Sequence, residues 1–239
     1  PPPDPPLVGP ADRPACVLED CLLATVGDAL RAEVGMGVVS LSRCAVGARG
    51  DVFALTPARV ARSRFFADLR LDRCTIATAG AAVRVDAWPG EAPGPDRPWL
   101  VSSSDPAYVD LSERTPRESV LCRADAEAFA QGQVFWRQDR DAIELQAFAA
   151  GGDAPLPNRN RDVAAQWVDL WGADHIREVT GPRTGSAAPS VRLLGRPRPG
   201  RVEPLDLQLA ANHLAVRPRL DVGADPAVFD ILGRQGRRR

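Results

Sequence analysis

The sequence predicts an all-β fold: a right-handed parallel β-helix, a three-sided solenoid, carrying a short C-terminal helical and irregular extension. Three observations predict it. First, three segments align position by position: Cys16-x-Leu18-x-x-Cys21-x-Leu23-x-x-x-Gly27-x-x-Leu30-x-Ala32, Val39-x-Leu41-x-x-Cys44-x-Val46-x-x-x-Gly50-x-x-Phe53-x-Leu55 and Leu69-x-Leu71-x-x-Cys74-x-Ile76-x-x-x-Gly80-x-x-Val83-x-Val85. Second, the apolar residues fall in pairs spaced by two, the strand period, and the phase breaks between pairs. Third, glycine returns at one offset, at Gly27, Gly50 and Gly80. Self-similarity at such a period marks an architecture of stacked repeats.

A strand that keeps period two and then skips phase has turned a corner. Three strands and their corners make one rung. The first corner carries polar residues: Glu19-Asp20, Ser42-Arg43 and Asp72-Arg73. The second ends at the recurrent glycine, where a positive φ is expected to permit a sharp bend. Cys21, Cys44 and Cys74 stand 23 and then 30 residues apart, and the excess fits between Leu55 and Leu69 as a bulging loop. A run of helices would show a 3.6-residue period, which is absent. A leucine-rich repeat would carry a denser leucine signature.

The elements follow in order. Residues 1–14 read as a proline-rich linker or incomplete cap, and 15–150 as the β-helix, with three clear rungs up to residue 87. Residues 88–98, rich in Pro and Gly, form a loop. A fourth rung follows as Trp99-x-Val101, then Ser104 in the cysteine place, then Val109-x-Leu111. A fifth runs from Val120 through Cys122 to Val134-x-Trp136 and Ile143-x-Leu145, with a short helix inserted at Asp125 to Ala130.

Residues 151–239 form the extension. Over 161–172 the period changes: Val163, Trp167, Leu170 and Trp171 make one apolar helix face that covers an end or side of the coil. Residues 178–205 are rich in Pro, Arg and Gly. Leu205 to Leu209 and His213 to Val222 regain alternation, and Asp225-Pro226 starts a last short helix ending at Gly233.

Composition excludes several functions. The formal net charge of the 239 residues is −1, so no overall field favours nucleic acid or a membrane surface. The Arg237-Arg238-Arg239 end is a solvated tail. No apolar run is long enough to span a membrane. All 30 basic residues are arginine, which removes every chemistry that needs lysine: the P-loop, the Schiff base and the kinase phosphate contact. The five cysteines lack the close pairing of metal sites. Three of them fill one interior ladder, where a thiol acts as a small hydrophobe. The chain opens at Pro1, and its one methionine is Met36. Together with the uncovered first rung, this leads to the expectation that rungs or domains precede it.

One pair of residues offers chemistry. Asp28 and Asp51 follow the corner glycine on consecutive rungs, so stacking brings their carboxylates to within about 5–7 Å. Paired carboxylates could hold calcium or do acid–base work on a sugar. The structural alternative is a turn aspartate bonded to backbone amides. Ala81 ends the acidic row. His175 and His213 have no partner at ligand spacing, and no G-x-S-x-G elbow occurs.

The rung pattern resembles the pectate-lyase-like right-handed β-helix over residues 15–145, and Leu71 to Gly80 has the form met in degenerate β-helix regions of large bacterial proteins. The stretch Val120 to Asp125, with Trp136 and Gln166-Trp167, is similar to regions following bacterial serine/threonine protein kinase domains. The first resemblance implies a calcium-carboxylate or aspartate-cluster site in the family's enzymes. No row here matches it, so no catalytic residue is carried over.

The sequence therefore reads as a non-catalytic β-helix scaffold from a larger bacterial protein, cytoplasmic or attached to the cell envelope. It would bind a protein or carbohydrate partner through a flat sheet face and the loops at 56–68 and 88–98. Trp88 and Trp99 flank the second loop and either stack on a partner or pack on the coil. The alternatives are a carbohydrate-active lyase or hydrolase using Asp28 and Asp51, and a scaffold or sensory tail of a kinase.

Overall fold

A computed structural model describes residues 14–33, 38–56, 68–86, 99–111, 119–125, 134–145 and 147–151, with scattered positions among 128–132 and from 154 to 229. The first repeat is β1 (Pro14–Glu19), β2 (Leu22–Thr25) and β3 (Leu30–Glu33). The second is β4 (Val38–Ser42), β5 (Ala45–Ala48) and β6 (Phe53–Thr56). The third is β7 (Asp68–Asp72), β8 (Thr75–Thr78) and β9 (Ala81–Val85). Then come β10 (Trp99–Ser104), β11 (Ala107–Asp110) and β12 (Val120–Ala124). The fifth is β13 (Val134–Asp139), β14 (Asp141–Glu144) and β15 (Ala147–Gly151). Two short strands follow, β16 (Ala154–Pro155) and β17 (Val179–Thr180).

Every strand except β16 pairs with its counterpart three strands away. The result is three sheets: β1-β4-β7-β10-β13, then β17-β14-β11-β8-β5-β2, then β16-β15-β12-β9-β6-β3. All these pairs are parallel except β15 with β16. Helix is almost absent from the described residues, and the arrangement is compatible with a parallel β-helix.

The registers reproduce the sequence alignment of the first three repeats. Leu18 pairs with Leu41 and Leu41 with Leu71; Leu23 with Val46 and Val46 with Ile76; Leu30 with Phe53 and Phe53 with Val83. These side chains from all three sheets join one core. Leu41, Val46 and Ile76 are fully buried. Each such side chain stabilises the fold by about 2 kcal/mol relative to exposure. The cysteine ladder also forms: Ala45 N donates to Cys21 O, Thr75 N to Cys44 O and Ala107 N to Cys74 O, so the three cysteines follow one another up the sheet.

The fourth and fifth repeats differ from the expected reading. Val101 and Ser103 pair with Leu69 and Leu71, and Tyr108 with Ile76. The first sheet's register therefore lies two residues beyond the expected one. Ser104 is a corner residue opposite Asp72, and Pro106 takes the cysteine place. Val120 to Cys122 belongs to the fourth repeat, because Cys122 pairs with Val83. Polar Ser103 in a leucine position hid the true phase.

The corners also differ in their physics. Positive φ occurs at the first corner of every repeat and at non-glycine residues: Asp20 (51°), Arg43 (53°), Arg73 (48°), Asp105 (54°) and Arg140 (61°). Gly27, Gly50 and Gly80 are not among the positive-φ positions. Arg43 forks onto Asp20 through Nε at 2.7 Å and Nη2 at 2.8 Å, and Arg140 Nη2 meets Asp105 at 2.6 Å. The Arg43 bond holds the Asp20 carboxyl below its usual range.

These first corners span one or two residues, whereas residues 34–37, 57–67, 86–98 and 125–133 join the third strand of one repeat to the first of the next. The loops expected at 56–68 and 88–98 fall almost wholly outside the described residues, as does Trp88. Trp99 is buried at 6 % exposure and packs into the core. Within the insert expected to be helical, Ala128 and Phe129 are helical, and Phe129 N donates to Asp125 O.

The described residues of the extension pack in two places. Val168, Leu170 and Trp171 are helical, while Val163 and Trp167 lie outside the described residues. Trp171 enters the main core, 5.9 Å from the Trp136 ring, and donates through Nε1 to Val134 O at 2.9 Å. The outward face of the second sheet is lined by small residues, Ala45, Ala77, Ala107 and Ala142, on which Leu207, Ala224 and Phe229 pack. The alternation expected from Leu205 to Leu209 gives way to a 3₁₀ turn over Pro204–Leu207, and Leu209 bridges to Leu193. His175 and the segment His213 to Val222 lie outside the described residues. No helix among the described residues is long and apolar enough to cross a membrane.

Candidate functional site

The corner between the second and third sheets gathers the expected pair. Asp51 N donates to Asp28 Oδ1 at 3.1 Å, and Ala81 N donates to Asp51 Oδ1 at 2.7 Å. Each carboxylate thus ties its own repeat to the backbone of the next. The recurrent glycine makes room for it. A Cβ on Gly50 would lie 2.6 Å from Asp28 Oδ1, and one on Gly80 would lie 2.6 Å from Asp51 Oδ1. Among the described residues no aspartate stacks on Gly27, and a Cβ there would meet nothing within 4 Å. Close approach, not a positive φ, explains the glycine.

Arginines on the outward face of the third sheet take the remaining oxygens. Arg84 Nη1 bonds Asp51 Oδ2, its Nε bonds Asp86 Oδ1 at 2.9 Å, and its Nη2 lies 3.7 Å from Asp28 Oδ2. Arg31 reaches Asp28 Oδ2 at 3.3 Å, and Arg123 lies 3.7 Å from Asp51 Oδ1. Asp51 is 4 % exposed. A guanidinium sits where a calcium ion bridging Asp28 and Asp51 would have to sit, and like charge opposes such an ion. Among the described residues no group of three His, Cys, Asp or Glu side chains is placed to hold a metal.

The cysteine ladder is closed to solvent over most of its height. Cys44, Cys74 and Cys122 are fully buried. The Cys44 thiol bonded to it, together with burial, raises Cys74 well above its ordinary value, and burial pushes Cys122 up to about 12. Cys74 and Cys122 are packing groups; the bond with Cys74 pulls the Cys44 thiol down to about 7, but Cys44 is fully buried.

A second cluster lies in the core between the sheets, where sequence reasoning placed no site. The ladder Leu18, Leu41, Leu71 continues as Ser103 and Gln138, which pair directly. The cysteine ladder continues through Pro106 to Asp141. Ser103 Oγ and Asp141 Oδ2 share a 2.6 Å hydrogen bond, and Trp136 Nε1 donates to Ser103 Oγ at 3.0 Å. Asp141 N donates to Gln138 Oε1 at 3.2 Å. Tyr108 faces Ser103 outside hydrogen-bonding geometry. Its hydroxyl, Gln138 Nε2 and Asp141 Oδ1 have no hydrogen-bond partner among the described residues.

Burial raises the Asp141 carboxyl well above the usual carboxylate range, against the Ser103 hydrogen bond. Burial and the nearby Asp141 likewise raise Tyr108. The sequence signal for this cluster is the polar replacement of two apolar ladders, visible only in the correct register.

No family model, curated protein or solved structure matches this chain.

Proposed function

We propose that the chain is a right-handed, three-sided parallel β-helix of pectate-lyase-like shape, acting as a non-catalytic scaffold for a protein or carbohydrate partner. Parallel pairing of every third strand around one core supports the shape. One observation carries the functional reading: Asp28 and Asp51 bond backbone amides of the following repeat and are covered by arginine. Carboxylates held in that way join repeats and do not face a substrate groove.

The sheet faces divide the remaining roles. Leu207, Ala224 and Phe229 pack on the second sheet. The third carries the Asp–Arg lattice. The first offers a flat face of Val17, Ser40, Arg70, Ser102 and Arg137, with Val17 51 % exposed. We assign the partner to that first face. The kinase-tail reading draws no support from the geometry.

The test is a panel of uronic-acid and neutral polysaccharides, assayed for unsaturated products and new reducing ends. The scaffold reading expects neither. Cleavage that Asp51→Asn abolishes in a variant still folded by circular dichroism would overturn it in favour of a lyase or hydrolase.

A further inference from the structure

The interior cluster is costly as it stands. A buried polar group without a partner is destabilising, and here Gln138 Nε2 and Asp141 Oδ1 both lack one among the described residues. Ser103, Gln138 and Asp141 are 6 %, 5 % and 1 % exposed. Leucine fills the same interior row at Leu18, Leu41 and Leu71, so an apolar filling of this place is available to the fold. A half-satisfied polar network within such a row calls for a chemical explanation.

The three side chains have complementary roles. Ser103 Oγ, at 2.6 Å from Asp141 Oδ2, is a hydroxyl beside a proton acceptor. Gln138 is directly opposite Ser103 on the neighbouring parallel strand, so their Cα atoms are about 4.8 Å apart. Its carbonyl oxygen already receives the Asp141 N–H, the place where negative charge would develop under attack. Its amide nitrogen is free of competing bonds among the described residues. Trp136 Nε1 fixes the hydroxyl from the other side.

We propose that Ser103 and Gln138 form an intramolecular ester that staples the fourth repeat to the fifth, with Asp141 relaying the proton. Ser103 Oγ attacks Gln138 Cδ. The Oγ–H bond breaks as Asp141 Oδ2 takes the proton, and a neutral Asp141 gives its own proton from Oδ1 to Gln138 Nε2 once the amide turns to bring these two unpartnered atoms together. The Oγ–Cδ bond forms, the Cδ–Nε2 bond breaks, and ammonia leaves. Asp141 ends protonated as it began. No oxidant, metal or co-reactant takes part. The apolar surroundings of Tyr108 and Trp136, whose rings meet edge to face at 6.1 Å, exclude the water that would hydrolyse the ester.

The test is the intact mass of the folded full chain. The staple makes it lighter by one ammonia, and a proteolytic digest contains a branched peptide joining the segments around Ser103 and Gln138. Ser103→Ala and Asp141→Asn each restore the full mass. A succinimide at an asparagine, which loses the same ammonia, survives both substitutions. Should Ser103→Ala fail to fold, Gln138→Leu, which extends the leucine row, serves as the control. Full mass in the folded wild-type chain, or a mass deficit that persists in these variants, overturns the proposal.

Discussion

Gly80→Ala tests the joint between repeats. The added Cβ would stand 2.6 Å from Asp51 Oδ1, 2.9 Å from Gly50 O and 3.0 Å from Gly50 C. Two of those atoms are backbone in a paired corner and cannot swing aside, so the Asp51 side chain must move as well. Moving it breaks the 2.7 Å bond from Ala81 N and disturbs the Arg84 pair. Losing a hydrogen bond to a charged group costs about 1.5–3 kcal/mol, and overpacking adds about 1–3 kcal/mol. Alanine returns about 0.4–1 kcal/mol through the unfolded chain. The net loss is about 3 kcal/mol, which lowers the melting temperature by about 6–12 °C in a chain of this size.

Urea and thermal unfolding followed by far-ultraviolet circular dichroism measure it. Gly27→Ala is the matched control, since a Cβ there meets nothing within 4 Å and the change should stay within about 0.5 kcal/mol. In an Asp51→Ala background the cost of Gly80→Ala should shrink by more than about 1 kcal/mol, because the two residues touch. Equal costs at Gly27 and Gly80, or additivity with Asp51→Ala, would refute the reasoning.

Three further outcomes are expected. At the first corner, Arg73 has φ 48°, so Arg73→Val should lose about 1–2 kcal/mol while Arg73→Gly stays level or gains, as read from urea midpoints. Asp141 sets a pH trend. Below its ordinary value of 3.8 both states hold the proton; as pH rises above it the unfolded chain releases a proton that the folded chain keeps, so stability falls with rising pH. Asp141→Asn should flatten that fall as pH rises above 3.8, with unfolding midpoints as the measure; an unchanged slope would count against a buried neutral acid. Alkylation of the folded protein should label Cys16 and Cys21, which are partly exposed, and spare Cys44, Cys74 and Cys122; mass mapping of the labelled peptides checks it.

The sequence made the first three repeats legible because their interior positions are apolar and their registers are in phase. Leu18, Leu41 and Leu71 stand out without any structure. The fourth repeat was illegible for a specific reason. Ser103 and Pro106 replace leucine and cysteine, so the apolar pattern alone points to Trp99 and Val101 in the wrong phase. The Asp28 and Asp51 row was visible, but not its purpose, since each carboxylate acts on the backbone of the following repeat some 23 or 30 residues on. The alanines at 45, 77, 107 and 142 look featureless in sequence. Only the docked Leu207 and Phe229 show that small side chains let the extension approach the sheet. The Ser103–Gln138–Asp141 cluster joins two ladders that no local pattern connects.

The stretches 34–37, 57–67, 86–98 and 125–133 all fall between a third strand and the next first strand. Gains and losses of chain there do not re-phase any ladder, because pairing restarts afresh at each first strand. A guest peptide or whole domain spliced between Thr56 and Asp68 should therefore leave every sheet intact. The same graft at Arg43 or Arg73, in a corner two residues long, would force the following strands out of step.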